Sequence, residues 1–313
     1  MTERITSAQN PKIKNLLSLQ EKSKARREQG LFVVEGRREL QHCLEAGYTV
    51  RTLFVCPEIA GSVTEEGVAS QISGHPRPDK REGPVGCWAE GQACLNFGTT
   101  DDGRGRSEAE AICGAIRSAV KPPHIIEIPE VLYRKVAYRE STEGIIAEVE
   151  YKALKLEDLR LPEHPLIVVL ESVEKPGNLG AVLRSADAAG AHAVLICDPL
   201  TDLYNPNLIR ASIGAVFTVP VVAVSSQEAI GFLKERGIQI LTAQLQDSSL
   251  YYDVDMRRGT ALVMGTESTG LTPVWRQAAS AHIRIPMLGR LDSLNVSVSA
   301  AILLFEAVRQ RQG

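Results

Sequence analysis

"LIVVLESVEKPGNLGAVLRSADAAGAHAVLIC" (residues 166–197) places two apolar runs of strand length, "LIVVL" and "AVLIC", on either side of a helical stretch that opens with Gly177 and Gly180. Strand, crossover helix and strand make the repeating unit of a parallel sheet, whose strands are buried on both faces and read as unbroken apolar runs. The alternation continues downstream through "AVFTVPVV", a helix from Ser226 to Arg236, "IQILTAQ", "ALVMG", "IRIPM" and a final helix. It predicts an α/β domain with a mostly parallel sheet over residues 165–313.

Toward the amino terminus, "KALKLEDLRLPEHP" carries Pro162 and Pro165 near its end and reads as a linker, placed at 151–164. Residues 1–150 read as a smaller α/β domain. It begins with a helix after Pro11, running through "SAQNPKIKNLLSLQEKSKARREQG" with Ile13, Leu16, Leu17 and Leu19 as its apolar side. The strand "LFVVEG", the helix "RRELQHCLEAG" ended by Gly47, and the strand "VRTLFVC" follow. Residues 61–123 change texture: "HPRPDKREGPVG" and "FGTTDDGRGRSE" are rich in Pro, Gly and charge, the composition of loops. This segment reads as an insertion carrying one helix, "SEAEAICGAIRSAV", where Ser107 and Glu110 have capping-box spacing. The helix "PEVLYRKVAY" and the strand "GIIAEVEY" complete the domain.

A chain of 313 residues is long enough for two cored domains, and a formal net charge of −3 argues against a general polyelectrolyte binder. The charge is unevenly spread, and the first forty residues are locally basic. Among them, Lys24, Arg26 and Arg27 are either a solvated helix face or a surface that contacts RNA phosphates. The cysteines at 43, 56, 87, 94, 113 and 197 form no CxxC pair, so their spacing does not suggest a metal site. No apolar stretch approaches the ~18 residues of a membrane span, and the polar start shows no secretory signal, so a cytoplasmic location is expected.

Ligands of open α/β sheets bind beyond the carboxyl ends of the strands. Three exits here carry polar or glycine-rich loops: "ESVEKPGNLGAVLR" after "LIVVL", "GTESTGL" after "ALVM", and "LGRLDSLNVSVSAA" after "IRIPM". Together they predict one composite site. A dinucleotide fingerprint is a competing reading, with Asp198 at the end of the next strand as the ribose-binding acid, but its first glycine is missing. No P-loop GK[ST] follows either.

With "NLGAVLRSADAAG", "MGTESTGL" and "IPMLGRLDSLNVSVSAAILLFE" in this order and separation, residues 165–313 resemble the SpoU/TrmH family of RNA ribose 2′-O-methyltransferases, of the SPOUT class. "RASIGAVFTVPV" is also in the family's style. The first domain, with "FVVEG" and "STEGIIAEV", resembles the ribosomal-protein-like RNA-binding domain that many members carry. The resemblance implies a deep trefoil knot in the parallel-sheet domain, bound S-adenosylmethionine and a homodimer. It also implies methylation of a ribose in structured RNA, with rRNA favoured over tRNA. A different class remains open, a non-catalytic RNA-binding or ribosome-assembly protein on the same fold.

The matching positions carry the family's roles as expectations. Arg184 is the implied catalytic residue, since a guanidinium holds a phosphate bidentately and stabilises a developing alkoxide. A salt bridge to Asp187 is its alternative. Asn178 is expected to orient Arg184 or contact substrate, or to cap its helix. Glu267 is expected to anchor Asn178 or Arg184, and Ser293 and Asn295 match the third motif's polar residues, with capping of the last helix as their alternative. Gly265, Ile285, Met287 and Leu294 match the positions whose backbone and apolar walls hold the cofactor. The broad apolar band of "SAAILLFEAVRQR" fits either a dimer contact or a buried core helix.

Overall fold

The computed structural model describes residues 3–60, 63–64, 94–95, 122–138, 143–266, 269–290 and 293–312. Two sheets organise them. The first part of the chain runs β1 (Glu3–Arg4), α1 (Pro11–Glu21), α2 (Ser23–Gln29), β2 (Leu31–Glu35), α3 (Arg37–Glu45), β3 (Val50–Val55) and α4 (Pro57–Ala60). Then come the short antiparallel pair β4 (Val63–Thr64) and β5 (Cys94–Leu95), then β6 (His124–Glu127), α5 (Glu130–Val136) and β7 (Ile145–Glu150). The first sheet has the order β1-β6-β3-β7-β2, with β7 antiparallel to both of its neighbours. The helix expected around Ser107 and Glu110 lies outside the described residues.

The helix expected after Pro11 is broken. Lys22 is extended, with φ −110° and ψ 110°, between α1 and α2. The break has a physical return: Arg26 turns its Nη1 onto the carbonyls of Leu19 and Gln20, at 2.7 and 3.0 Å, acceptors that the end of α1 leaves without helical partners. Ile13, Leu16 and Leu19 are buried as the periodicity indicated, and Leu17 is partly buried.

The second part runs β8 (Leu166–Glu171), α6 (Pro176–Ala188), β9 (Ala193–Cys197), α7 (Pro206–Ser212), α8 (Ala215–Thr218), β10 (Val221–Val224), α9 (Ser226–Glu235) and β11 (Gln239–Ala243). It closes with β12 (Ser249–Leu250), β13 (Thr260–Met264), α10 (Pro273–Ala278), β14 (Ala281–Arg284) and α11 (Val296–Gln312). Its seven strands, in the order β10-β9-β8-β13-β11-β14-β12, are all parallel. "AVFTVPVV" is not one strand. Gly214, at φ +81°, opens the helical turn α8, and Pro220 separates it from β10.

The two parts share one core. Phe32 of β2 stacks on Tyr204 with ring centroids 4.1 Å apart, and Phe217 of α8 lies 6.0 Å away. Beside these rings, Arg26 Nε meets Asp202 Oδ2 at 2.6 Å, with side-chain exposures of 2% and 13%. Arg26 is therefore a buried strut between the two parts, which corrects the expectation that it faces RNA. Lys24 and Arg27 remain exposed. At the far end of the chain, Arg311 donates to the carbonyls of His164, Pro165, Met256 and Arg258, pinning the end of α11 to the start of β8.

Candidate active site

β13, β11 and β14 are neighbours, so their carboxyl ends open side by side. A cavity of about 310 Å³ lies there, within the range of small-molecule sites. Gly265 and Thr266 from the β13 exit, Ile285 and Met287 from the β14 exit, and Ser293 and Leu294 ahead of α11 line it. All four positions expected to hold a cofactor are thus on one cavity, with Ser293 beside them. Sequence reasoning missed one wall: Ala243, Gln244, Leu245 and Gln246, the exit of β11, where only the polar residues following "ILTA" gave any signal.

Gly265 is required by contact. A Cβ there would stand 2.3 Å from the backbone carbon and oxygen of Gly270, because the loop folds back on itself. Thr266 and Gly270 pair as an antiparallel bridge, and Gly270 takes φ +67°. Glu171, buried at the end of β8, accepts hydrogen bonds from Thr272 N at 2.9 Å and Thr272 Oγ1 at 2.6 Å. It ties this loop to the neighbouring strand, a positioning contact that the motif spacing did not reveal.

α6 approaches from the side. Lys175 is its N-cap residue and offers no side-chain cap, so Asn178 sits inside the first turn and does not cap the helix. Its Oδ1 accepts from Asn295 Nδ2 at 3.2 Å, which brings the first and third motifs together. Asn295 also caps α11, its Oδ1 accepting from Ser297 N at 3.0 Å and Ser297 Oγ at 2.6 Å. The capping alternative for Asn295 is therefore present, and the same side chain also reaches the first motif.

Arg184 lies six residues beyond Asn178, about 9 Å along the axis and about 120° around it. It is exposed and does not line the cavity. Its alternative, a salt bridge to Asp187, is not formed among the described residues, where Asp187 accepts from Thr218 Oγ1 at 2.5 Å. Glu267 lies outside the described residues. Gly180 packs α6 on α7, where a Cβ would fall 2.6 Å from Ala211 Cβ; Gly177 faces open space. Asp198 accepts from Ser226 Oγ at 2.6 Å, braces the start of α9 and does not line the cavity, which speaks against its reading as a ribose-binding acid there. No cluster of metal-ligating side chains and no membrane-length apolar helix occurs among the described residues.

The cavity suits S-adenosylmethionine: apolar walls at Ile285, Met287 and Leu294, backbone groups at a glycine cradle, and Gln244 Oε1 buried without a hydrogen-bond partner among the described residues. Residues 165–305 match the SpoU rRNA Methylase family, and residues 10–76 match the MRM3-like substrate binding domain. A 23S rRNA (guanosine-2′-O-)-methyltransferase RlmB of Bordetella pertussis is 40% identical over 176 residues, 55% of this chain and 72% of the relative. A crystal structure of an RNA 2′-O ribose methyltransferase aligns over 99% of this chain and 100% of its own, with 34% identity and a TM-score of 0.72. The AdoMet-bound rRNA methyltransferase of Sinorhizobium meliloti aligns over 98% of each chain, with 25% identity and a TM-score of 0.75. The chain belongs to the SpoU rRNA methylase family.

Proposed function

We propose that this chain transfers a methyl group from S-adenosylmethionine to a ribose 2′-hydroxyl of ribosomal RNA. The observation that carries the reading is the cavity at three adjacent strand exits, beside which Asn295 reaches Asn178 on the Arg184 helix. The relatives' substrates favour rRNA over tRNA.

The cofactor supplies an activated methyl on a sulfonium. The chain's part is to hold donor and acceptor in line and to steady the charge that develops on the sugar oxygen. Gly265, Ile285, Met287 and Leu294 hold the cofactor. Arg184, always charged, grips an RNA phosphate and steadies the negative charge on the 2′-oxygen as the hydroxyl proton passes to that phosphate or to water. Asn178, Ser293 and Asn295 set the substrate edge of the site, with Glu267 as the expected anchor among them. The reading divides the chain into an RNA-gripping domain over 1–150, with an insertion at about 61–123, a linker over 151–164 and a knotted catalytic domain over 165–313. Lys24 and Arg27 belong to the RNA face. A cytoplasmic location follows from the substrate.

A homodimer through α11 belongs to the same proposal. Val298 and Phe305 are 47% and 49% exposed on that helix, with Ile302 between them on the same face. Phe305→Glu should convert a dimer to a monomer by light scattering.

The test is transfer of label from methyl-labelled S-adenosylmethionine to ribosomal RNA. A 2′-O-methyl makes the adjoining phosphodiester resistant to alkali, which maps the nucleotide. Arg184→Ala should abolish transfer while cofactor affinity stays within about twofold, given that Arg184 stands outside the cavity. Label on a base, or tight RNA binding with no transfer, would overturn the assignment; the latter favours the non-catalytic alternative.

A further inference from the structure

The cofactor cavity has a charge character that the family motifs do not account for. Arg276 of α10 and Arg284, the last residue of β14, both line it, and no carboxylate does so among the described residues. Arg284 is engaged elsewhere, its Nη1 donating to Ser248 Oγ at 3.4 Å. Arg276 is exposed, and its guanidinium has no hydrogen bond or ion pair among the described residues. The helix beneath it is fixed: neighbouring Trp275 is buried with its Nε1 on Ser226 Oγ at 2.9 Å, and Thr272, at the N-cap, is held by Glu171.

A cationic wall with no anion of its own favours a negative group. S-adenosylmethionine carries two positive centres, sulfonium and α-ammonium, and one negative group, the α-carboxylate. We propose that Arg276 binds this α-carboxylate and so sets how the methionine end of the cofactor lies in the cavity; the inference rests on the cofactor assigned above. A guanidinium fork matches a carboxylate through two parallel N–H···O bonds, which an ammonium cannot do. An RNA phosphodiester is the competing anion. The buried Leu271 and Met264 that share the cavity with Arg276 favour a small amphiphile over a hydrated polyanion.

Calorimetry on the full chain tests this with three probes: S-adenosylmethionine, its decarboxylated form, and 5′-methylthioadenosine, which lacks the amino-acid end. Arg276→Gln should weaken S-adenosylmethionine binding about tenfold or more and change the other two by less than about twofold. Arg276→Lys, which keeps the charge but loses the fork, should fall between. Equal weakening of all three probes would overturn the carboxylate contact. So would unchanged S-adenosylmethionine affinity, and if RNA affinity then fell, the phosphate alternative would stand. A wild-type chain that binds none of the probes would overturn the cofactor assignment itself, whereas wild-type binding with an unaffected variant overturns Arg276 alone.

Discussion

Asn295 and Asn178 stand 117 positions apart in the chain and meet through one hydrogen bond, Asn295 Nδ2 donating to Asn178 Oδ1 at 3.2 Å. The same Asn295 caps α11 with its Oδ1, so one side chain both starts a helix and ties two motifs together. The two duties are separable. Asn295→Asp keeps an N-cap acceptor but loses the donor to Asn178; Asn295→Ala loses both. The aspartate variant is expected to keep its melting temperature while methyl transfer falls by an order of magnitude or more. The alanine variant should lose about 1 kcal/mol of stability as well. Equal transfer rates in wild type and the aspartate variant would sink the motif link.

The two glycines of the first motif should respond oppositely. A methyl at Gly180 would meet Ala211 Cβ at 2.6 Å and Ser212 N at 2.8 Å, so α6 and α7 would have to separate. Overpacking of this kind costs about 1–3 kcal/mol, more than the roughly 1 kcal/mol of helix propensity that alanine gains over glycine. Gly180→Ala is therefore expected to lower the melting temperature, and Gly177→Ala, with open space around it, to leave it level or raise it slightly.

Arg26 and its neighbours should separate stability from RNA binding. Arg26→Met leaves Asp202 buried without its partner and two α1 carbonyls uncovered. Breaking one side of a buried pair costs about 3–5 kcal/mol, read by denaturant unfolding. Replacing Lys24 and Arg27 should instead leave unfolding within about 0.5 kcal/mol and flatten the salt dependence of RNA binding by about one unit per charge. An unaltered salt slope would return both side chains to the role of solvated surface.

Glu148 makes the stability of the first sheet sensitive to acid. Burial pushes its carboxyl above the ordinary value, with hydrogen bonds from Thr52 and Asn15 acting the other way. The folded chain thus holds this proton more tightly than the unfolded chain does. Relative to acidic solution, stability is lost as the pH rises from the ordinary carboxyl value to the raised one. Glu148→Gln escapes that loss. It is expected to melt higher than wild type at about pH 7.5, with the gap closing near pH 4. A gap independent of pH would exclude Glu148 as the cause.

Much of this architecture could be read from the chain because parallel strands announce themselves. "LIVVL", "AVLIC" and "ALVMG" are apolar on both faces, and each became a buried strand. That Gly265, Ile285, Met287 and Leu294 share one cavity was legible for a different reason: motif spacing fixes which strand exits they follow. What escaped was set by tertiary contact. Lys22 is no helix breaker by type, so the division of α1 from α2 is visible only once Arg26 is seen covering the exposed carbonyls. Arg26 itself sits in a basic run with Lys24 and Arg27, and no pattern in that run tells the buried cation from the wet ones. Gln244 and Arg276 reach the cavity because β11 lies between β13 and β14, an order that the linear sequence does not display.

Arg311 closes a loop of another kind. Its guanidinium binds the carbonyls of His164 and Pro165 at one end of the parallel sheet and those of Met256 and Arg258 beside its own helix, so the backbone enters and leaves this unit at a single corner. A module whose two ends touch can be grafted onto a different recognition partner without rerouting its interior. The aromatic seam of Tyr204 and Phe217, and Asp202 beside it, would need new mates.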